Sequence, residues 1–227
     1  MRRLLLIPAV LCFISAAASG AGFETPIGGE KVALVLPAGM CRIEAANASD
    51  ANYINAVESS LAGTNKLLGA FADCQQLTDW RSGNKMFLDN HGQYQAPVGM
   101  LDTAAPPGVV AEICGELRRQ GEKVLDGMKE DLSQRMERAV KGLQVNELRS
   151  LGVVGEDPGA CYSAALQNLR VEGGPEKLQH LVFAITVVKG KLLFLYVYGL
   201  HTGDHTIPAL LDRVRTTVSE LAKANEK

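Results

Sequence analysis

Apolar residues recur along this chain with two different periods, and these sort it into helices and strands. Between Ser49 and Phe71, Ile54, Val57, Leu61, Leu68 and Phe71 share one face of a 3.6-residue repeat, which predicts a helix capped at its start by Ser49 or Asp50. A longer helical pattern runs from about Val109 to Leu143. Its narrow stripe is Val110, Ile113, Leu117, Val124, Met128, Leu132, Met136 and Val140, and the opposite side carries the i,i+4 pairs Asp131 with Arg135 and Glu137 with Lys141. Gly115, Gly121 and Gly127 each weaken a helix interior by roughly 1 kcal/mol relative to Ala, so the segment reads as two helices or as one that bends. A closing helix is expected at Pro208 to Ala224, with Ile207, Leu210, Leu211, Val214, Val218 and Leu221 inward and Pro208 in the first turn.

Strand patterns fill the rest. Lys31 to Leu36 is a short run stopped by Pro37, Ala38 and Gly39. Lys85 to Leu88, beside the single Trp80, reads as a strand turning at Asp89, Asn90 and Gly92. After the Pro-rich break Ala104–Gly108 and the long helix, Leu148–Val154 and Ala160–Val171 read as strands around the loop Gly155–Gly159. Leu181 to Leu200 is apolar enough to suggest a membrane span, yet Lys189 and Lys191 sit at its centre, where each would cost roughly 2.5–3.5 kcal/mol in a bilayer. A hairpin turning at Lys189-Gly190 fits better, and its doubly apolar flanks require cover on both faces. The expectation is an α+β fold: an antiparallel sheet with helices on both faces, Ser49–Phe71 and Pro208–Ala224, plus a long amphipathic helical insertion at about 104–143. One domain is expected over residues 22–227. The stripe at 109–143 either packs on the chain's own sheet or, projecting, supports self-association or a partner, and its balanced charges do not suit membrane insertion.

The N-terminus changes the compartment. Arg2 and Arg3, then the apolar run Leu4–Ile14, then the small residues Ser15–Ala21 form the pattern of a secretory signal peptide cut between Ala18 and Ala21, so residues 1–21 are read as a leader and the protein as periplasmic or secreted. Cys12 leaves with it; Leu11 before it does not suit a lipoprotein. Removing Arg2 and Arg3 leaves 21 basic residues against 25 acidic ones, a net charge of −4, with no basic cluster for nucleic acid. Four cysteines remain, Cys41, Cys74, Cys114 and Cys161, spaced by 33, 40 and 47 residues with no C-x-x-C pair for zinc or redox chemistry. An even number in an exported chain indicates two disulfides in one of three connectivities, and loop closure favours Cys41–Cys74 with Cys114–Cys161.

Candidate chemistry is sparse. His201-Thr202-Gly203-Asp204-His205 holds two imidazoles and a carboxylate that suit zinc or copper, while a strand-to-helix loop with Asp204 or Thr206 as cap accounts for the same residues without a metal. Cys161 paired with a histidine would make a nucleophile, but Pro158-Gly159-Ala160-Cys161-Tyr162 matches no catalytic signature. No G-x-S-x-G, P-loop or G-x-G-x-x-G is present, and no cofactor is expected. Asn47-Ala48-Ser49 fits a glycosylation sequon but reads first as a helix start, and Trp80-Arg81 as a core edge before a stacking platform.

An early strand ending in a Pro/Gly turn, a helix, a β-meander, the hairpin VFAITVVKGKLLFLYVYG and a closing amphipathic helix together resemble the PsbP/DcrB-type α/β/α sandwich. The resemblance covers the start of the mature chain and residues 147–225, with 104–143 as an insertion and the four cysteines as a departure. It implies a non-enzymatic accessory or binding module, here acting with another envelope protein. Two other readings stand beside it: an exported enzyme whose site, using Cys161 or His201, assembles only in three dimensions, and a metal carrier using His201, Asp204 and His205.

Overall fold

The computed structural model describes residues 22–139 and 142–226, leaving out the side chains at 124, 125, 128, 129, 132 and 139. The expected leader at 1–21 lies outside the described residues, as do Val140 and Lys141 of the long helix pattern. The elements run β1 (Phe23–Ile27), β2 (Glu30–Leu34), β3 (Met40–Ile43), α1 (Ala48–Leu61), β4 (Asn65–Asp73), α2 (Cys74–Arg81), β5 (His91–Pro97), α3 (Val109–Ala139), β6 (Leu143–Asp157), β7 (Ala160–Val171), β8 (Lys177–Val188), β9 (Lys191–Leu200) and α4 (Thr206–Ala224). Strands β1 and β2 form a separate hairpin; the other seven make one antiparallel sheet in the order β3-β4-β5-β9-β8-β7-β6. No described helix is long and apolar enough to cross a membrane.

The apolar run at 181–200 is the predicted hairpin. Lys189 and Gly190 both take positive φ, 48° and 72°, as the tight two-residue turn demands. Lys191 is buried, and its ammonium reaches the carbonyls of Leu101 and Thr103 at 2.9 and 3.3 Å. One face of the sheet packs on α4 and the β1–β2 hairpin. Phe71, Tyr94, Val182, Ala184, Leu193, Leu195 and Val197 meet Leu210, Val214, Val218 and Leu221 there in a dry core with Val32 and Leu34. Asn225 closes that layer by pairing with the backbone N–H and C=O of Ala33 at 2.9 and 2.8 Å. The other face carries α1, α2 and α3, so helices cover both faces and α3 is a single 31-residue helix.

The expected helix Ser49–Phe71 stops at Leu61. Gly63 turns the chain at φ 82°, and Leu68 and Phe71, which fit the helical period, are inward positions of β4, Leu68 at a bulge between Leu67 and Gly69. Short apolar runs do not distinguish the two periods. The cap is Asn47, whose side chain accepts from Ser49 and Asp50 N–H at 2.9 and 3.4 Å, in place of Ser49 or Asp50. Lys85–Leu88 is irregular, and the strand there is β5 instead; Lys85 is held by Asp89 at 2.5 Å. Strand β6 runs on to Asp157, so the expected Gly155–Gly159 loop contracts to a turn at Pro158-Gly159.

Candidate functional site

The register of the sheet places a set of polar residues beneath the helices on the α1/α3 side. Cross-strand partners share a face, and three successive rows run Ala72-His91-Tyr198-Leu181, Ala70-Gln93-Tyr196-Phe183 and Leu67-Gln95-Phe194-Ile185-Cys161. Ala70 and Ala72 belong to the apolar patch under α1 and α2, with Ile43, Leu77, Leu88, Tyr53, Ile54 and Trp80. Phe183, Ile185, Phe194 and Cys161 belong to the patch under the first turns of α3, with Val109, Val110, Ile113 and Leu117. Between the two patches lies a seam of three tyrosines, two amides and a histidine.

In that seam His91 stacks on Tyr198 with ring centres 4.6 Å apart and planes 8° from parallel, and Tyr53 of α1 meets His91 edge-on at 6.3 Å. Tyr53 also meets Trp80 edge-on at 6.2 Å. Burial lowers the His91 pKa to about 4, against the opposing pull of the Leu88 carbonyl and the Asp89 charge, so the imidazole is neutral. Burial raises Tyr198 to about 12, with a hydrogen bond from Gln93 working the other way, and it pushes Tyr53 and Tyr196 up as well. Gln95 accepts from Asn65 at 2.8 Å. His91 Nδ1 and Gln93 Oε1 are sealed from water with no hydrogen-bond partner among the described residues. Such orphans are uncommon in folded proteins and call for an explanation.

Helix α1 covers this seam lightly. Its one fully buried residue is Asp50, which takes the Arg81 guanidinium at 2.9 and 2.5 Å and the Glu44 N–H at 2.7 Å. Burial opposes ionisation of Asp50, but those bonds and the Arg81 charge outweigh it and hold the carboxyl below its usual range. Above the sheet, Asn52, Asn55, Ala56 and Ser59 of α1 face Arg135 and Arg138 of α3 across an open cavity of about 540 Å³.

Both disulfides lie on this side. Cys41–Cys74 ties β3 to α2 and Cys114–Cys161 ties α3 to β7, the pairing that loop closure favoured. Cys161 is therefore bonded, and although Glu156 approaches Cys114 Sγ at 2.6 Å, the sulfurs of this acid–cysteine group are committed to each other. The histidines of the 201–205 segment part company. His205 meets the Thr202 hydroxyl at 3.2 Å, while His201 sits edge-on to His180 of β8 at 4.9 Å. Neither Asp204 nor Thr206 caps α4; Thr206 instead ties the loop through the Gly203 carbonyl at 2.7 Å and the Thr202 N–H at 3.0 Å. Arg81 binds Asp50, and Trp80 is part of the α1/α2 patch. The pair Asp131–Arg135 forms at 2.7 Å; Glu137 accepts from the Val145 N–H at 3.2 Å, and its expected partner Lys141 lies outside the described residues. Sequence reasoning missed His91, Gln93 and Gln95, though the alternation His-Gly-Gln-Tyr-Gln-Ala at 91–96 is a period-two signal.

No protein-family model matches the chain, and no curated protein matches it. Among solved structures it is similar to the solution structure of cyanobacterial PsbP (CyanoP) from Synechocystis sp. PCC 6803, at 12% identity over 91% of this chain and 95% of that one, TM-score 0.35. It is also similar to the 1.9 Å crystal structure of the Saccharomyces cerevisiae Ran-binding protein Mog1p, at 9% identity over 91% of this chain and 93% of that one, TM-score 0.30. At these TM-scores no function passes from either protein to this one.

Proposed function

We propose that this protein is an exported, non-catalytic accessory or binding module of the cell envelope, and that it binds through the α1/α3 side of its sheet. The observation that carries this reading is the seam. Aromatic rings, amides and two buried polar atoms without a partner among the described residues lie under a helix that contributes no fully buried apolar side chain. Aromatic surfaces with a few convergent polar groups are the usual material of recognition sites. Export is supported by the leader pattern at 1–21 and by two disulfides, which persist in oxidising compartments.

A photo-crosslinking residue at the exposed Glu58 of α1, compared with one at the exposed Asp212 of α4, tests this in the native compartment. A discrete adduct from position 58 and none from 212 is expected. Equal labelling from both, or steady turnover of a small substrate by the purified protein, overturns the proposal. Intact mass of the exported chain after alkylation without reduction tests the compartment: cleavage between Ala18 and Ala21 and no alkylated cysteine are expected.

A further inference from the structure

We propose that the groove between α1 and α3 is an anion site for a small molecule bearing a carboxylate or phosphate group. The proposal rests on the binding-module reading and names the chemistry of its ligand. The cavity of about 540 Å³ is of ligand size. Its lining is Asn52, Asn55, Ala56, Ser59, Arg135 and Arg138, with no acidic residue among them, on a chain whose mature charge is −4. Ser59 gives its proton to the Asn55 carbonyl at 2.7 Å. The donors left facing the groove are therefore the two Asn amides and the two guanidinium groups.

The two arginines differ. Arg135 is already engaged: it donates to the Ala62 carbonyl at the C-terminal end of α1 at 3.2 Å and to Asp131 at 2.7 Å. It bridges the two helices and neutralises the negative end of α1, which would otherwise repel an anion. Arg138, three residues further along α3 and exposed, makes no ion pair among the described residues. Arg135 is thus the positioning residue and Arg138 the ligand contact. A planar guanidinium matches the two oxygens of a carboxylate or phosphate, and amides one α-helical turn apart at 52 and 55 add neutral donors on the facing wall.

The test is a titration of the isotope-labelled mature protein with inorganic phosphate and, separately, with malonate, at constant ionic strength, followed by amide and side-chain resonances. Saturable shifts at Asn52, Asn55 and residues 135–138 are expected, with affinity falling about tenfold in Arg138→Gln. Lys223→Gln, on the exposed end of α4, serves as the control and is expected to leave affinity unchanged. Saturation by phosphate alone assigns a phosphate-bearing ligand, and by malonate alone a carboxylate. Absence of saturation with both, or an Arg138→Gln affinity equal to the parent's, overturns the anion site. A crosslink from position 58 that persists in Arg138→Gln protein would leave the binding-module reading standing without it.

Discussion

The two faces of the central sheet are built on different principles. On the α4 side, Leu193, Leu195 and Val197 of β9 alternate into a layer with Val214 and Leu221 in which every one of these side chains is fully buried. That layer needs no covalent help, because burying a Leu or Val side chain contributes about 1.5–3 kcal/mol. On the α1/α3 side the intervening residues of the same strand, Phe194, Tyr196 and Tyr198, are only half-buried, and their partners on β5 are two amides and a histidine. Here α2 and α3 are attached by disulfides and α1 by the Asp50–Arg81 ion pair. A face that must stay polar cannot hold its helices by apolar burial alone, so crosslinks and charge supply what packing does not.

The widest test of that contrast is Leu195→Ala. It should lower unfolding free energy by about 3–4 kcal/mol in urea titrations, since the dry layer cannot relax around the cavity. A loss under about 1 kcal/mol would mean the α4 face is not the stabilising one. Replacing Cys114 and Cys161 together by Ala should remove about 2–4 kcal/mol, the effect of releasing a crosslink that spans 47 residues. Hydrogen exchange should show faster opening in α3 while α4 keeps its protection; uniform loss across both helices would contradict the division.

A smaller effect follows from His91. Its pKa falls from 6.5 to about 4 on folding, so between those values the unfolded chain binds a proton that the folded one does not. Stability is therefore unaffected above 6.5 and declines as pH falls toward 4, by about 2 kcal/mol between pH 7 and 5. His91→Gln should abolish the larger part of that slope; His180, whose pKa is also lowered by burial and by the charge of His201, supplies the rest. Asp50 and Asp89, held below the ordinary 3.8, add their losses only at more acidic pH, so the windows separate. In Asp89, burial opposes ionisation but is outweighed by the hydrogen bonds and charges of Lys177 and Lys85.

Much of the fold is legible in the chain. The hairpin at 181–200 declares itself by two apolar runs around Lys189-Gly190, and α4 by a clean 3.6-residue stripe ending at Leu221. The site is less legible. His91 and Gln93 lie in a stretch dense with turn residues, and the tyrosines that complete the seam come from elsewhere in the sequence, Tyr53 from α1 and Tyr196 and Tyr198 from β9. Leu68 and Phe71 misled for a related reason, because two apolar residues three apart satisfy a helix and a bulged strand alike.

What the amino-acid order determined alone was local: which segments are doubly apolar, where glycine permits a turn, and which cysteines lie near enough in sequence to close short loops. These follow from periodicity, backbone sterics and chain entropy, which act over a few residues or depend only on separation. Tertiary structure decided the rest. The register of β5 against β9 set His91 on Tyr198, and the meeting of α1 with α3 brought Asn55 opposite Arg138. Neither juxtaposition has a local signature, because each depends on which strands or helices become neighbours, and those lie far apart in sequence.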